Sequence, residues 1–213
     1  MDHGHPTDEM LAAYAAGASS EGMALLIAAH LTYCPACRRR VSALEAVSGA
    51  LFAEVPAVAV EVSVLDGLMA RLDASDTAEP VARRSVDDPV LPRPVAEAVG
   101  MPFEQIRWRF RMPGVAEFPL DLGGPERVSL LRVRPGAGVP SHTHTGEEAT
   151  LVLQGMLCDR DRAFGRGSVA VATPLDDHHP HAGAGEDCVC LTVMDGGLRF
   201  TGPLGRALNI FAE

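Results

Sequence analysis

The chain has 213 residues, 47% hydrophobic and 22% charged, which is the composition of a folded globular protein with room for one large or two small domains. No apolar run reaches the roughly 18 residues of a membrane span, and the start, Met1 to His5, lacks the basic and apolar regions of a secretory signal, so the expected location is the cytoplasm. The net charge is −10, every basic residue is arginine, and residues 1–75 alone carry nine acids against four arginines, which argues against direct nucleic-acid binding.

An acidic surface of this kind is either simply solvated or steers the chain toward a basic protein partner, such as one that itself binds DNA. In a cytoplasmic chain the five cysteines, Cys34, Cys37, Cys158, Cys188 and Cys190, read as ligands or thiols rather than as a disulfide frame. The histidines cluster at 3 and 5, at 30, at 142 and 144, and at 178, 179 and 181, which suggests two metal sites, one in each half.

From the N-terminus, Thr7 is positioned to cap a helix over 8–16 that Gly17 ends. Ser19 or Ser20 starts a second helix reaching about Thr32. A third runs from Pro35 to about Glu54, with Val41, Leu44, Val47 and Leu51 at helical spacing. Arg38, Arg39 and Arg40 crowd its first turn, against the dipole preference. After the apolar connection 56–62, Ser63 is expected to cap a fourth helix whose Val64, Leu65, Leu68, Met69 and Leu72 either pack on their own domain or face a partner's groove.

Between the second and third helices lies His30-Leu-Thr-Tyr-Cys34-Pro-Ala-Cys37. Two thiolates and an imidazole at this spacing can take three corners of a zinc tetrahedron. His30 and Cys34 are one helical turn apart, and Pro35 suits the first position of a new helix capped by Cys34. The alternatives are a redox pair or two buried thiols. The fourth ligand must come from His5 or His3, the only other histidines of this half. The pattern resembles the zinc-binding anti-sigma factors, over about residues 3–72. Such a small helical core would draw folding free energy from the metal.

Residues 76–94 read as a linker, with Pro80, Pro89, Pro92, Pro94 and the paired Asp87 and Asp88. Beyond Val95 the pattern turns to short strands punctuated by Gly and Pro: 106–111, 128–134, 149–153, 168–172, 188–194 and 198–201. The expected fold is therefore multidomain, α then β: a zinc-bound all-α helical unit over 1–75, the linker 76–94, and an all-β barrel over 95–213. Cys188 and Cys190 on one strand would face the same side, and a disulfide between them would be strained, so they read as buried thiols.

Gly136, His142, His144, Glu148 and Gly155 fit the first motif of the cupin superfamily, whose fold is a double-stranded β-helix barrel. His142 and His144 point the same way from one strand, Glu148 follows across a turn, and Gly155 stands where a tight turn is wanted. The family's second motif adds a later histidine; of His178, His179 and His181, the resemblance favours His178, although the usual Pro-x-Gly before it and the Asn after it are missing. Three imidazoles and a carboxylate can hold zinc, manganese, iron or nickel.

A short zinc anti-sigma domain, a linker and a C-terminal cupin together resemble the ChrR-type anti-sigma factors, over nearly the whole chain. The resemblance implies zinc on His5, His30, Cys34 and Cys37, and a divalent metal on His142, His144, Glu148 and His178. It implies a 1:1 complex with an extracytoplasmic-function sigma factor, held inactive in the cytoplasm and released by singlet oxygen or organic hydroperoxide, with the cupin needed for the response. No catalytic role is expected. The alternative is a metal-dependent cupin dioxygenase or isomerase with a zinc docking domain, against which stands the absence of an evident acid or base beside the ligands.

Overall fold

The computed structural model describes residues 4–74 and 88–201. His3 and most of the proline-rich stretch expected as a linker lie outside them. Four helices come first: α1 (Asp8–Ala15), α2 (Glu21–Tyr33), α3 (Pro35–Ala53) and α4 (Val62–Ala74). Thr7, Ser20 and Cys34 each accept a hydrogen bond from the backbone N–H three residues on, at Met10, Met23 and Cys37, so every one of the first three helices opens on a side-chain cap. The cap expected at Ser63 is not formed, because α4 starts one residue earlier and Ser63 lies inside its first turn.

Arg38 explains its own unfavourable position. Its guanidinium donates to the carbonyls of Leu31 and Thr32, so it neutralises the C-terminal end of α2 rather than burdening the N-terminus of α3. Arg40 pairs with Asp8 at 3.1 Å and ties α3 to α1.

Short helix α5 (Arg93–Val99) and a 3-10 turn at Phe103–Gln105 lead into the β region. Its strands are β1 (Arg109–Met112), β2 (Val115–Leu120), β3 (Arg127–Val133), β4 (His142–His144), β5 (Glu148–Gln154) and β6 (Met156–Asp159). They continue with β7 (Arg162–Gly165), β8 (Val169–Ala172), β9 (His181–Ala182), β10 (Cys188–Met194) and β11 (Leu198–Phe200). The strand expected from Ile106 begins at Arg109 instead. Ile106 closes the 3-10 turn, its N–H donating to Phe103, and its side chain is buried in the core.

The main sheet has the antiparallel order β1-β2-β3-β10-β5-β8, and the smaller sheets β11-β4 and β7-β6-β9 face it across a cavity. Successive residues of β3, β5 and β10 serve opposite faces. Arg127, Ser129, Leu131 and Val133 of β3 line the cavity, whereas Val128 and Leu130 belong to the core on the other side. That second face is covered by helix. Leu26, Ile27 and Ala29 of α2, Val95 and Val99 of α5, and Leu130, Leu151 and Leu191 of the sheet form one continuous hydrophobic cluster. Val90 and Leu91, just before α5, are buried in the same cluster. No helix among the described residues is long and apolar enough to cross a membrane.

Candidate metal centres

The first centre forms where α2 ends and α3 begins. His5, His30, Cys34 and Cys37 bring one donor atom each within 4.8 Å of the others. His5 Nδ1 lies 3.5 Å from Cys34 Sγ and 3.4 Å from Cys37 Sγ. A zinc tetrahedron with bonds of about 2.0–2.1 Å to nitrogen and about 2.3 Å to sulfur has N–S edges of about 3.5 Å, so the donors fit that ion. His30 supplies a second test. A carbonyl only accepts, so Nδ1 must donate to Gly167 O at 2.7 Å, which leaves Nε2 bare; that atom is buried with no hydrogen-bond partner. Burial, more than the compensating bond to Gly167, lowers the His30 pKa and keeps the ring neutral. Burial and the neighbouring Cys34 sulfur push the Cys37 thiol up to about 12, so a thiolate here requires a cation close by.

The carbonyl that orients His30 belongs to the β region. Gly167 sits in the β7–β8 turn with φ 84°, and a Cβ on it would come within 2.8 Å of Tyr33 Cβ on α2. Arg166 lies over the Tyr33 ring and donates to Pro89 O, and Val169 N donates to Gly4 O at 2.9 Å. The first centre is thus built across the contact between the helices and the sheet.

The second centre lies inside the barrel. His142 and His144 project from β4, Glu148 opens β5, and His178 is set by a reciprocal backbone pair with His142, each N–H donating at 3.0 Å. Their donor atoms again fall within 4.8 Å of one another, whereas His179 and His181 are outside the group. Gly155, with φ 71°, turns β5 into β6 and approaches Asp187 O so closely that only glycine fits.

Two second partners fix the ring nitrogens. His142 Nδ1 donates to Pro140 O at 2.8 Å and His178 Nδ1 to Asp159 Oδ2 at 3.0 Å, so both Nε2 atoms turn inward. His178 Nε2 is 2.9 Å from His144 Nε2, which in turn is 3.3 Å from Glu148 Oε2. Burial, reinforced by the neighbouring rings, lowers His142 and His144 to about 4, and burial raises Glu148 to about 7. Burial would also lower His178, but the hydrogen bond and charge of Asp159 outweigh it and the pKa is raised. Three imidazoles and a carboxylate therefore converge on one point, a donor set suited to a divalent cation.

Asp159 and Gly167 were not legible as site residues. Asp159 ends β6 and bears no fixed spacing to His178, and Gly167 acts through its carbonyl. Cys188 and Cys190 are buried free thiols with their sulfurs 3.5 Å apart. The hydrogen bond with Cys188, reinforced by burial, holds the Cys190 thiol well above its ordinary range.

A zinc-finger family model matches residues 6–38, and the ChrR cupin-like domain model matches residues 96–197. The anti-sigma-E factor ChrR of Cereibacter sphaeroides is 41% identical over 207 residues, which is 97% of this chain and 96% of that protein. The chain belongs to the ChrR family of anti-sigma factors. The crystal structure of Rhodobacter sphaeroides SigE in complex with the anti-sigma ChrR superposes with a TM-score of 0.81 at 40% identity, covering 92% of this chain and 100% of that one. Membership of the ChrR family accounts for the order of parts: helical zinc-finger segment first, cupin second.

Proposed function

We propose that this chain binds an extracytoplasmic-function sigma factor as a 1:1 complex in the cytoplasm, and releases it on exposure to singlet oxygen or organic hydroperoxide. The observation that carries the reading is the exposed apolar surface of the helical part. No residue of α4 is buried: Val64, Leu65, Leu68, Met69 and Leu72 are all exposed, and Val47, Leu51 and Phe52 continue the surface on α3. An amphipathic helix whose apolar side chains are exposed, in a chain so similar to a ChrR seen with its SigE, is suited to lie in a groove of the sigma factor.

In this reading residues 1–75 form the inhibitory unit, 95–213 the sensing unit and 76–94 the segment between them. Zinc on His5, His30, Cys34 and Cys37 is structural, with all four positions filled by protein. A divalent metal on His142, His144, Glu148 and His178 supplies a centre that can react with an oxidant; the protein orients its three rings through Pro140, Asp159 and β4.

The test is co-purification with a sigma factor from the native cell, followed by exposure to singlet oxygen or an organic hydroperoxide. A stoichiometric complex that dissociates on exposure is expected. His142→Ala should bind sigma factor normally and fail to release it. If His142→Ala instead lost sigma binding before any oxidant was added, the division between inhibitor and sensor would be wrong.

A further inference from the structure

The barrel encloses a cavity of about 670 Å³ whose lining extends well beyond the four converging donors. That volume is in the range that holds a small organic ligand. Its lining is graded along the strands. Arg127 of β3, Met194 of β10 and Glu148 of β5 form one cross-strand row, at the end where the histidines converge. The next inward row is hydroxylic: Ser129, Thr192 and Thr150, with Ser129 Oγ and Thr192 Oγ1 3.0 Å apart. Beyond it the wall is apolar, with Leu131, Val133, Val115, Leu157 and Phe164. The seven residues of β3 span about 20 Å from one end to the other.

The charges on the lining decide what the polar end accepts. Arg111 is held by Glu117 at 2.9 Å, Arg160 by Asp176 at 3.1 Å, and Asp159 is held by His178. Arg162 stacks on Phe164. Arg127 remains: among the described residues no acidic group pairs with its guanidinium, and it lies two strands from Glu148 on the same face. A cation beside a hydroxyl row, at the rim of a cavity whose deeper wall is apolar, is complementary to an anionic head with an aliphatic tail, and guanidinium binds a carboxylate in bidentate fashion.

We propose that the barrel cavity binds an amphipathic organic monocarboxylate, its head on Arg127 and its tail along Leu131, Val133 and Leu157. The proposal stands on the cavity alone and does not depend on the sigma-factor reading.

The experiment is isothermal titration of the full-length metal-loaded chain with octanoate, 1-octanol and octylamine. Octanoate is expected to bind at least tenfold more tightly than the alcohol or the amine. Arg127→Gln should remove that preference while leaving 1-octanol binding unchanged, and Arg127→Lys should restore part of it. Arg127 lies at the exposed start of β3, so the melting temperature of either variant should match that of the parent. Equal binding of octanoate and octanol, binding of neither, or an Arg127→Gln variant that holds octanoate undiminished would overturn the proposal. The last outcome would move the carboxylate onto the metal.

Discussion

Asp159 touches none of the converging donor atoms, yet it decides which nitrogen of His178 faces them. Replacing it by Asn removes the charge that favours Nδ1–H and allows the ring to turn. Loss of such a partner typically lowers metal affinity by roughly 10–100-fold. Competition with a chelator should show that drop in Asp159→Asn at the barrel site, with zinc retention at the helical site unchanged. Local spacing made five of the grouped side chains legible, through His-x3-Cys-x2-Cys on a helix junction and His-x-His on a strand; His5 against His3, and His178 among its neighbours, rested on the family resemblance, because they reach their groups from distant segments. Asp159 and the Gly167 carbonyl were not legible, because they reach the ligands across the fold. The same residues set an acid response in the metal-free chain. His142 and His144 are held at about 4, below the ordinary 6.5, so the stability they contribute is present above pH 6.5 and fades as the pH falls toward 4. Glu148, raised to about 7 from 4.5, acts in the opposite sense: its contribution is full below pH 4.5 and is lost as the pH rises through 7. Two histidines against one glutamate leave a net loss on acidification from pH 6.5 to 4.5. Thermal melts of the metal-free chain across that window should show a falling midpoint; a flat or rising one would contradict the burial of the two rings.

At the scale of elements, α4 and the β7–β8 turn make opposite demands. Apolar spacing in α4 was readable, but whether its face packed at home was not, since an amphipathic stripe is the same for a core and for a partner. Among the described residues that face is exposed, so substitutions there should affect binding and not folding. Leu65→Asp with Leu68→Asp should keep the melting temperature of the free chain while weakening sigma-factor affinity by roughly 1,000-fold, as for two central interface anchors at about 2 kcal/mol each. The turn behaves otherwise. Gly167→Ala must adopt φ 84° with a Cβ and also displace Tyr33. The left-handed conformation alone costs about 1–2 kcal/mol. Moving the turn shifts the carbonyl that orients His30, so this variant should melt earlier and release zinc to a chelator faster than the parent. A variant that melts earlier but holds zinc as firmly would show that the His30–Gly167 bond carries no weight at the metal.

For the whole molecule, the composition separates two kinds of segment, helical then β, and the family confirms their order; what composition could not reveal is that they share a core. Leu26 and Ile27 of α2 show no face that distinguishes packing on α1 and α3 from packing on a sheet. In the structure they are buried in one cluster with Leu151 and Leu191. Sheet, α5 and the first helices therefore exclude water together, and the zinc centre takes its outer hydrogen bond from the sheet. Such a unit should unfold in one step. Calorimetry of the zinc-loaded chain should give a single transition, and selective removal of zinc from the cysteine site should lower the midpoint of that whole transition, because the barrel loses the helical cover of its outer face when the zinc junction loosens. Two separate transitions, with the barrel's unmoved by loss of zinc, would mean that the helices rest on the sheet without contributing to its stability. In that case a signal arising in the barrel would need residues 76–94, rather than the shared core, to reach α4.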